Sequence, residues 1–249
     1  MLSKLDINKS LIIPCKNEGS EIIPIIQKFI ENTKEDTQIY IVLDNKQDIT
    51  FEILERSNLK IKILIDNEGK GVASAVNYGI KNSVGNYVCI AMGDGSDDPS
   101  QVEELFNLVE RGLSVAVASR YSRGGQYIGT KNFKYLLSKY SGRFLNLFFR
   151  IKTKDPTNMF KAYSRNFLNS VEIESNNGFT LGLEMVVKAK LNGFKIGEIP
   201  TIWIDREFGD SKFNLRKFVP SYLYWIKVLL LRRWKKYYLP APKVLLEAT

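Results

Sequence analysis

Residues 86–99 read NYVCIAMGDGSDDP. Asn86–Met92 is a near-continuous apolar run of strand length. It breaks at Gly93 into a loop carrying Asp94, Asp97 and Asp98. Pro99 then opens a helical pattern that runs to Arg111, and proline suits a first helical turn. A strand that is apolar without alternation is buried on both faces, which is the habit of parallel sheets covered by helices. In open α/β sheets, ligands bind beyond the carboxyl ends of the strands, where this acidic loop lies.

The same strand–loop–helix unit recurs on either side. Ser10–Pro14, Gln38–Leu43, Lys60–Ile65 and Leu113–Ser119 are further short apolar runs. Gly19–Asn32, Thr50–Ser57 and Gly71–Lys81 have helical spacing of apolar residues. The alternation predicts an α/β fold with a mostly parallel sheet flanked by helices. The second half is more irregular. Phe133–Ile151 is a long aromatic and basic helical stretch, Leu181–Leu191 a helix, and Lys195–Pro200 a strand. Phe218–Tyr238 is apolar and then strongly basic.

The composition narrows the chemistry. The chain has 249 residues and is 44% hydrophobic and 25% charged, enough apolar surface for a core. Histidine is absent. His-liganded metal sites and Ser–His–Asp triads are therefore excluded, and any metal must be held by oxygen ligands. Cys15 and Cys89 lie in apolar runs and read as reduced core residues. Met1–Ser10 lacks a long apolar region, so no signal peptide is expected, and no apolar run reaches membrane-span length. A cytoplasmic location follows. The net charge of +9 is unevenly spread. Residues 1–119 hold 12 Lys and Arg against 18 Asp and Glu, whereas residues 120–249 hold 24 against 9. The basic half predicts an anionic partner.

The strand-end loops carry the candidate chemistry. They are Pro14-Cys15-Lys16-Asn17-Glu18, Asp44-Asn45-Lys46-Gln47-Asp48, the Asp94 loop, and Ser119-Arg120-Tyr121-Ser122-Arg123-Gly124-Gly125. Carboxylates can hold a divalent cation and nucleotide hydroxyls, and arginines a phosphate. Asp98 is expected to cap the following helix. Asp94, standing before the cap, is the expected metal ligand.

These blocks, in this order, resemble the family 2 glycosyltransferases of GT-A fold, a Rossmann-like nucleotide-diphospho-sugar transferase fold. Within that family they look most like the polyprenyl- and dolichyl-phosphate sugar transferases. The resemblance runs from about Leu11 to Phe213. It also includes Asn67-Glu68-Gly69-Lys70-Gly71, Asp155-Pro156-Thr157 with Phe160-Lys161, Gly197-Glu198-Ile199-Pro200, and Asp205-Arg206-Glu207-Phe208-Gly209-Asp210-Ser211-Lys212. It implies donor-binding roles for Pro14, Asn17, Glu18, Asp44, Lys70, Arg206 and Lys212. It implies Asp94 as a Mg²⁺ or Mn²⁺ ligand, with Asp97 or Ser96 as the second. Arg120, Lys134 and Ser138 would hold the acceptor phosphate, and Asp94, Arg120 and Arg206 would be catalytic. The chain departs from the family pattern at Gly93 and Asn45, where Asp is frequent, and at Lys134, where Arg is.

The implied reaction is inverting, metal-dependent sugar transfer from a UDP- or GDP-linked donor to a polyprenyl phosphate. A phosphate near neutral pH is already a nucleophile, so no general base is required. The alternative is transfer to a sugar hydroxyl, which requires a base, and Glu184 is the candidate. A nucleic-acid-binding role is disfavoured by the acidic loops. A nucleotidylyltransferase is disfavoured by the lack of a basic Gly-rich loop after the first strand. Residues 1–214 read as the catalytic domain and 215–249 as a basic amphipathic tail. That tail, with Phe133–Ile151, suits an anionic membrane surface on its cytoplasmic face. Packing on the domain, or a homo-oligomer contact, is the alternative use of the same residues.

Overall fold

The computed structural model describes residues 7–67, 69, 71–131, 133–175, 178–205 and 215–234. The first half follows the alternation of the sequence: β1 (Lys9–Pro14), α1 (Ile22–Glu31), β2 (Thr37–Leu43), α2 (Ile49–Glu55), β3 (Ile61–Ile65), α3 (Val72–Asn82), β4 (Tyr87–Ile90), α4 (Val102–Glu110) and β5 (Val115–Ser119). The second half adds β6 (Gln126–Ile128), α5 (Phe133–Phe149), β7 (Lys161–Ser164), α6 (Arg165–Asn169), α7 (Gly178–Leu191), β8 (Ile196–Pro200), β9 (Ile202–Ile204) and α8 (Leu215–Trp234).

Seven strands form one sheet in the order β3-β2-β1-β4-β7-β5-β8. All neighbours are parallel except β7, which runs antiparallel between β4 and β5. The sequence reading has no strand at β7, since its four residues, KAYS, carry too little apolar signal. Both its edges are paired, so the strand is fixed by its neighbours rather than by its own propensity. β6 and β9 form a separate parallel pair.

The sheet buries both faces. Leu11 and Ile13 pack with α1 and α4, among them Ile26, Phe29 and Phe106. Ile12 between them faces the other layer, with Val76 of α3, Phe149 of α5 and Val186 of α7. This period of two explains why both registers of each strand are apolar. Cys15 and Cys89 are buried and unbridged.

α8 joins the second layer through Trp225 and Leu229, both buried. The Lys188 ammonium of α7 lies 5.3 Å over the Trp225 ring and pairs with Glu184 and Glu174. Other apolar side chains of α8, including Leu223 and Leu231, stay exposed. Among the described residues, no helix is long and apolar enough to cross a membrane.

At the edge opposite the strand-end loops, Lys9 is 2% exposed and its ammonium pairs with Glu103 (3.1 Å), Glu110 (3.3 Å) and Asp36 (3.7 Å). Burial works against its charge, but the carboxylates prevail and raise its pKa. Lys9→Met strands three partly buried carboxylates around an apolar side chain. The variant should lose about 2–3 kcal/mol in urea unfolding, and an unchanged midpoint excludes the triad as a staple.

Candidate active site

Each strand end is held by local hydrogen bonds. After β1, Asn17 adopts a left-handed turn (φ 56°), which its side chain tolerates. The Asn17 amide then donates to Asp48 Oδ2 (2.9 Å), while Asp48 Oδ1 caps α2 by accepting from Thr50 N (2.8 Å). The Glu18 amide donates to Thr50 Oγ1 (3.0 Å). Asp44, at the end of β2, accepts from Lys16 Nζ at 2.5 Å. Pro14 is buried, Asn17 exposed and Glu18 half-buried. These three and Asp44 all stand at or just after the carboxyl ends of β1 and β2.

The third strand end holds a carboxylate that sequence reasoning missed. Asp66 is buried and accepts from Ser74 Oγ (2.8 Å). Its position directly after β3 was the available signal. Lys70 lies outside the described residues.

The acidic loop after β4 is internally bonded. Asp94 Oδ1 accepts from Ser96 N (3.1 Å) and Ser96 Oγ (2.5 Å). Asp98 Oδ1 accepts from Ser100 N and so caps the turn before α4, as expected. Asp97 is turned inward, 4% exposed, and accepts from Met92 N (2.9 Å). Burial and the Asp94 charge push its pKa up to about 7, against the Met92 amide and the charges of Arg120 and Lys161. Among the described residues, no three His, Cys, Asp or Glu side chains converge as a metal cage. The donor set nevertheless fits a hard cation that takes one or two protein oxygens and completes its shell with phosphate and water. Asp94, with Ser96 against it, is the residue so placed.

Across the gap stands Arg120, after β5. Its Nε and Nη2 donate to Asp155 Oδ2 (2.7 Å) and Oδ1 (2.8 Å), and its backbone amide also donates to Oδ2 (3.0 Å). Nη2 reaches Ser138 Oγ and Thr157 Oγ1, each at 3.4 Å. The guanidinium lies 5.0 Å from the Tyr121 ring centroid and 5.6 Å from that of Trp203. Burial opposes its charge, but Asp155 prevails and raises its pKa. The side chain of Lys134, and all of Arg206 and Lys212, lie outside the described residues.

Asp155 is itself fully buried and clamped. Glu198 of β8 accepts from Thr153 Oγ1 (2.9 Å) and Lys154 N (2.7 Å). Thr153 Oγ1 in turn accepts from Asp155 N (3.0 Å). Gly142 of α5 lets the chain come so close that a Cβ there would collide with the Lys154 carbonyl oxygen. Beneath, fully buried Lys161 donates to Pro156 O (3.2 Å). The sequence reading had Lys161 only as part of a motif. Its burial depends on β7, which that reading lacked.

Glu184, the candidate base, is fully buried on α7. It accepts from Glu174 N (2.7 Å) and Ser175 N (2.8 Å) and pairs with Lys188. A carboxylate so occupied and so enclosed cannot reach a sugar hydroxyl, and the base assignment is corrected to a loop-holding role.

A mostly parallel seven-stranded sheet with helices on both faces is the frame of a glycosyltransferase of GT-A fold. The sequence profile of glycosyl transferase family 2 matches residues 10–171, and the chain belongs to that family. It is 28% identical over 212 residues to a dolichol-phosphate mannosyltransferase of Pyrococcus furiosus, covering 82% of this chain and 59% of that protein. It is 25% identical over 215 residues to a polyprenol monophosphomannose synthase of Mycolicibacterium smegmatis, covering 82% and 80%. The chain thus spans under two thirds of the Pyrococcus protein's length. Among solved structures, glucosyl-3-phosphoglycerate synthase from Mycobacterium tuberculosis, in complex with Mn²⁺, UDP and glucosyl-3-phosphoglycerate, shares the fold. Its TM-score is 0.66 at 14% identity, over 90% of this chain and 79% of that one.

Burial lowers the Lys161 pKa from 10.5 to about 7, with Asp155 and Asp97 opposing and Arg120 adding to the shift. The unfolded chain keeps that proton to about pH 10. Unfolding therefore takes up a proton between about pH 7 and 10, and stability rises with pH across that window. Lys161→Met should lack this rise, so its stability relative to wild type falls from pH 7 to 10 in urea titrations. Parallel pH profiles exclude a displaced lysine.

Proposed function

We propose that the chain transfers a sugar from a UDP- or GDP-linked donor to the phosphate of a polyprenyl phosphate, with inversion at the anomeric carbon. The observation that carries this reading is the makeup of the pocket beside Arg120. It has a volume of about 280 Å³ and is lined by cations and tyrosines, with no carboxylate among its described lining residues. An anionic acceptor suits it. A hydroxyl acceptor would need a base, and Glu184 is sealed away. The names of the two sequence relatives point the same way.

In this mechanism Pro14, Asn17, Glu18 and Asp44 line the nucleoside. Asp94 and a second ligand, Asp97 or Ser96, hold Mg²⁺ or Mn²⁺, which when bound stabilises the charge on the departing diphosphate. Lys70, Arg206 and Lys212 add positive charge there. Arg120, with Ser138 and Lys134, orients the acceptor phosphate for attack from the side opposite the leaving group. The fixed donors are most effective where charge builds in the transition state.

We further propose that the protein works against an anionic membrane surface. α5 exposes Leu136, Leu137, Tyr140, Phe144, Leu147 and Phe148, by 41–75%, among Lys139, Arg143 and Arg150. Residues 1–214 would then be the catalytic domain; of the proposed tail 215–249, α8 is packed on that domain through Trp225 and Leu229, which leaves the basic stretch from Arg232 onward for the headgroups. Such a mixture of apolar and basic side chains favours interfacial binding.

The decisive assay offers Mg²⁺ or Mn²⁺, polyprenyl phosphate in detergent and a panel of UDP- and GDP-sugars, with mass spectrometry of the lipid product. A polyprenyl-phospho-sugar that falls about a hundredfold or more in Asp94→Ala and Arg120→Ala is expected. Donor binding without lipid product overturns the reading. Vesicle flotation tests the surface. Wild type should float with anionic vesicles and Phe144→Asp with Phe148→Asp should not, whereas a lipid-independent dimer of wild type that stays unfloated assigns these residues to self-association.

A further inference from the structure

The guanidinium of Arg120 is largely committed. Asp155 takes Nε, Nη2 and the backbone amide, Ser138 and Thr157 share Nη2, and Tyr121 and Trp203 stack close by. In charge it is cancelled by a fully buried carboxylate. The pocket it borders nevertheless remains strongly basic, because Lys131, Lys139 and Arg143 also line it. Tyr135, Lys139 and Arg143 lie four residues apart on α5, so they share one helix face.

Lys139 is not a loose surface lysine. It is half-buried, its Nζ donates to Tyr135 Oη (2.9 Å), and it sits 5.2 Å from the Tyr135 ring centroid. Tyr135 packs edge-on to Tyr121 (5.9 Å) and against Tyr127 (4.8 Å), and Tyr127 stacks on Trp203 (5.0 Å). This aromatic wall holds the ammonium toward the pocket that Arg120 borders. A phosphate monoester dianion needs about two positive charges for neutralisation.

We infer that Lys139 and Arg143, with Lys131 at the rim, contact the acceptor phosphate and supply the net charge that draws it in, while Arg120 fixes its orientation. The inference rests on the acceptor class proposed above and adds residues to that site. Two roles usually merged in one arginine are thereby divided. Charge resides on one face of α5, and direction resides on the Asp155-bound guanidinium.

The test uses a short-chain isoprenyl phosphate, soluble without a membrane, so that surface adsorption plays no part. Its binding to the full chain is measured by titration calorimetry, beside acceptor and donor KM. Lys139→Gln with Arg143→Gln should weaken binding and raise acceptor KM by about a hundredfold, about tenfold for each charged hydrogen bond lost. The kcat and donor KM should stay within about threefold. Lys139→Arg with Arg143→Lys keeps the charge and should retain most of the affinity. Lys28→Gln with Lys60→Gln removes equal charge far from the pocket and should change nothing. Unchanged affinity in the double Gln variant overturns the inference, as does an equal loss in the distant control or a wild type that fails to bind. Binding that is lost in the variant, with no product formed by wild type, supports these residues and overturns only the proposed reaction.

Discussion

The buried ion pair between Arg120 and Asp155 organises the molecule around it. A carboxylate with no solvent exposure is tolerable only when its oxygens are satisfied, and here a guanidinium and a backbone amide do so. That requirement reaches outward. The 153–158 loop must approach α5 at Gly142, Glu198 must hold Thr153 and Lys154, and β7 must follow so that Lys161 lies beneath. Removing either partner would leave the other charged and enclosed. Such pairs contribute little net stability, but they admit few alternative arrangements of the loops that meet there. A site that must present one arginine at a set angle benefits from that restriction.

The opposite wall is built on a different principle. The loops after β2 and β4 are turns held by short-range bonds, Asp48 to Thr50, Asp94 to Ser96 and Asp98 to Ser100, and Asp48 also ties in Asn17 after β1. Asp48, Thr50 and Ser96 are buried, whereas Asp94 and Asp98 keep partial exposure. Asp97 is buried as well. Enclosed and bonded to Met92 N, it shapes the loop from within. One wall thus rests on a long-range ion pair and the other on turns closed within a few residues.

Much of this was readable from residues alone. Near-continuous apolar strands alternating with helical spacing define the sheet, and four of its carboxyl-end loops point to the site. The Asp98 cap followed from its place before Pro99. What escaped the reading depends on contacts distant in sequence. β7 is a strand because β4 and β5 flank it, and Lys161 is buried because β7 exists. Glu184 read as a candidate base from its neighbourhood in the chain, whereas its partners are the amides of Glu174 and Ser175. Asp66 differs from these, since its place directly after β3 is a local feature of the chain. The basic face of α5 was visible as a pattern, but its pocket side is set by Tyr121, Tyr127 and Trp203, which come from three other segments.

The antiparallel insertion of β7 sets a distance. Neighbouring strands in a sheet are about 4.8 Å apart. With one strand between them, β4 and β5 deliver their loops about 10 Å from each other rather than about 5 Å. Asp94 rides on one and Arg120 on the other. Because β7 runs the other way, it is the loop before it, carrying Asp155, that meets Arg120, and its amino-terminal Lys161 is buried beneath. One reversed strand of four residues therefore sets the spacing between the acidic loop and Arg120.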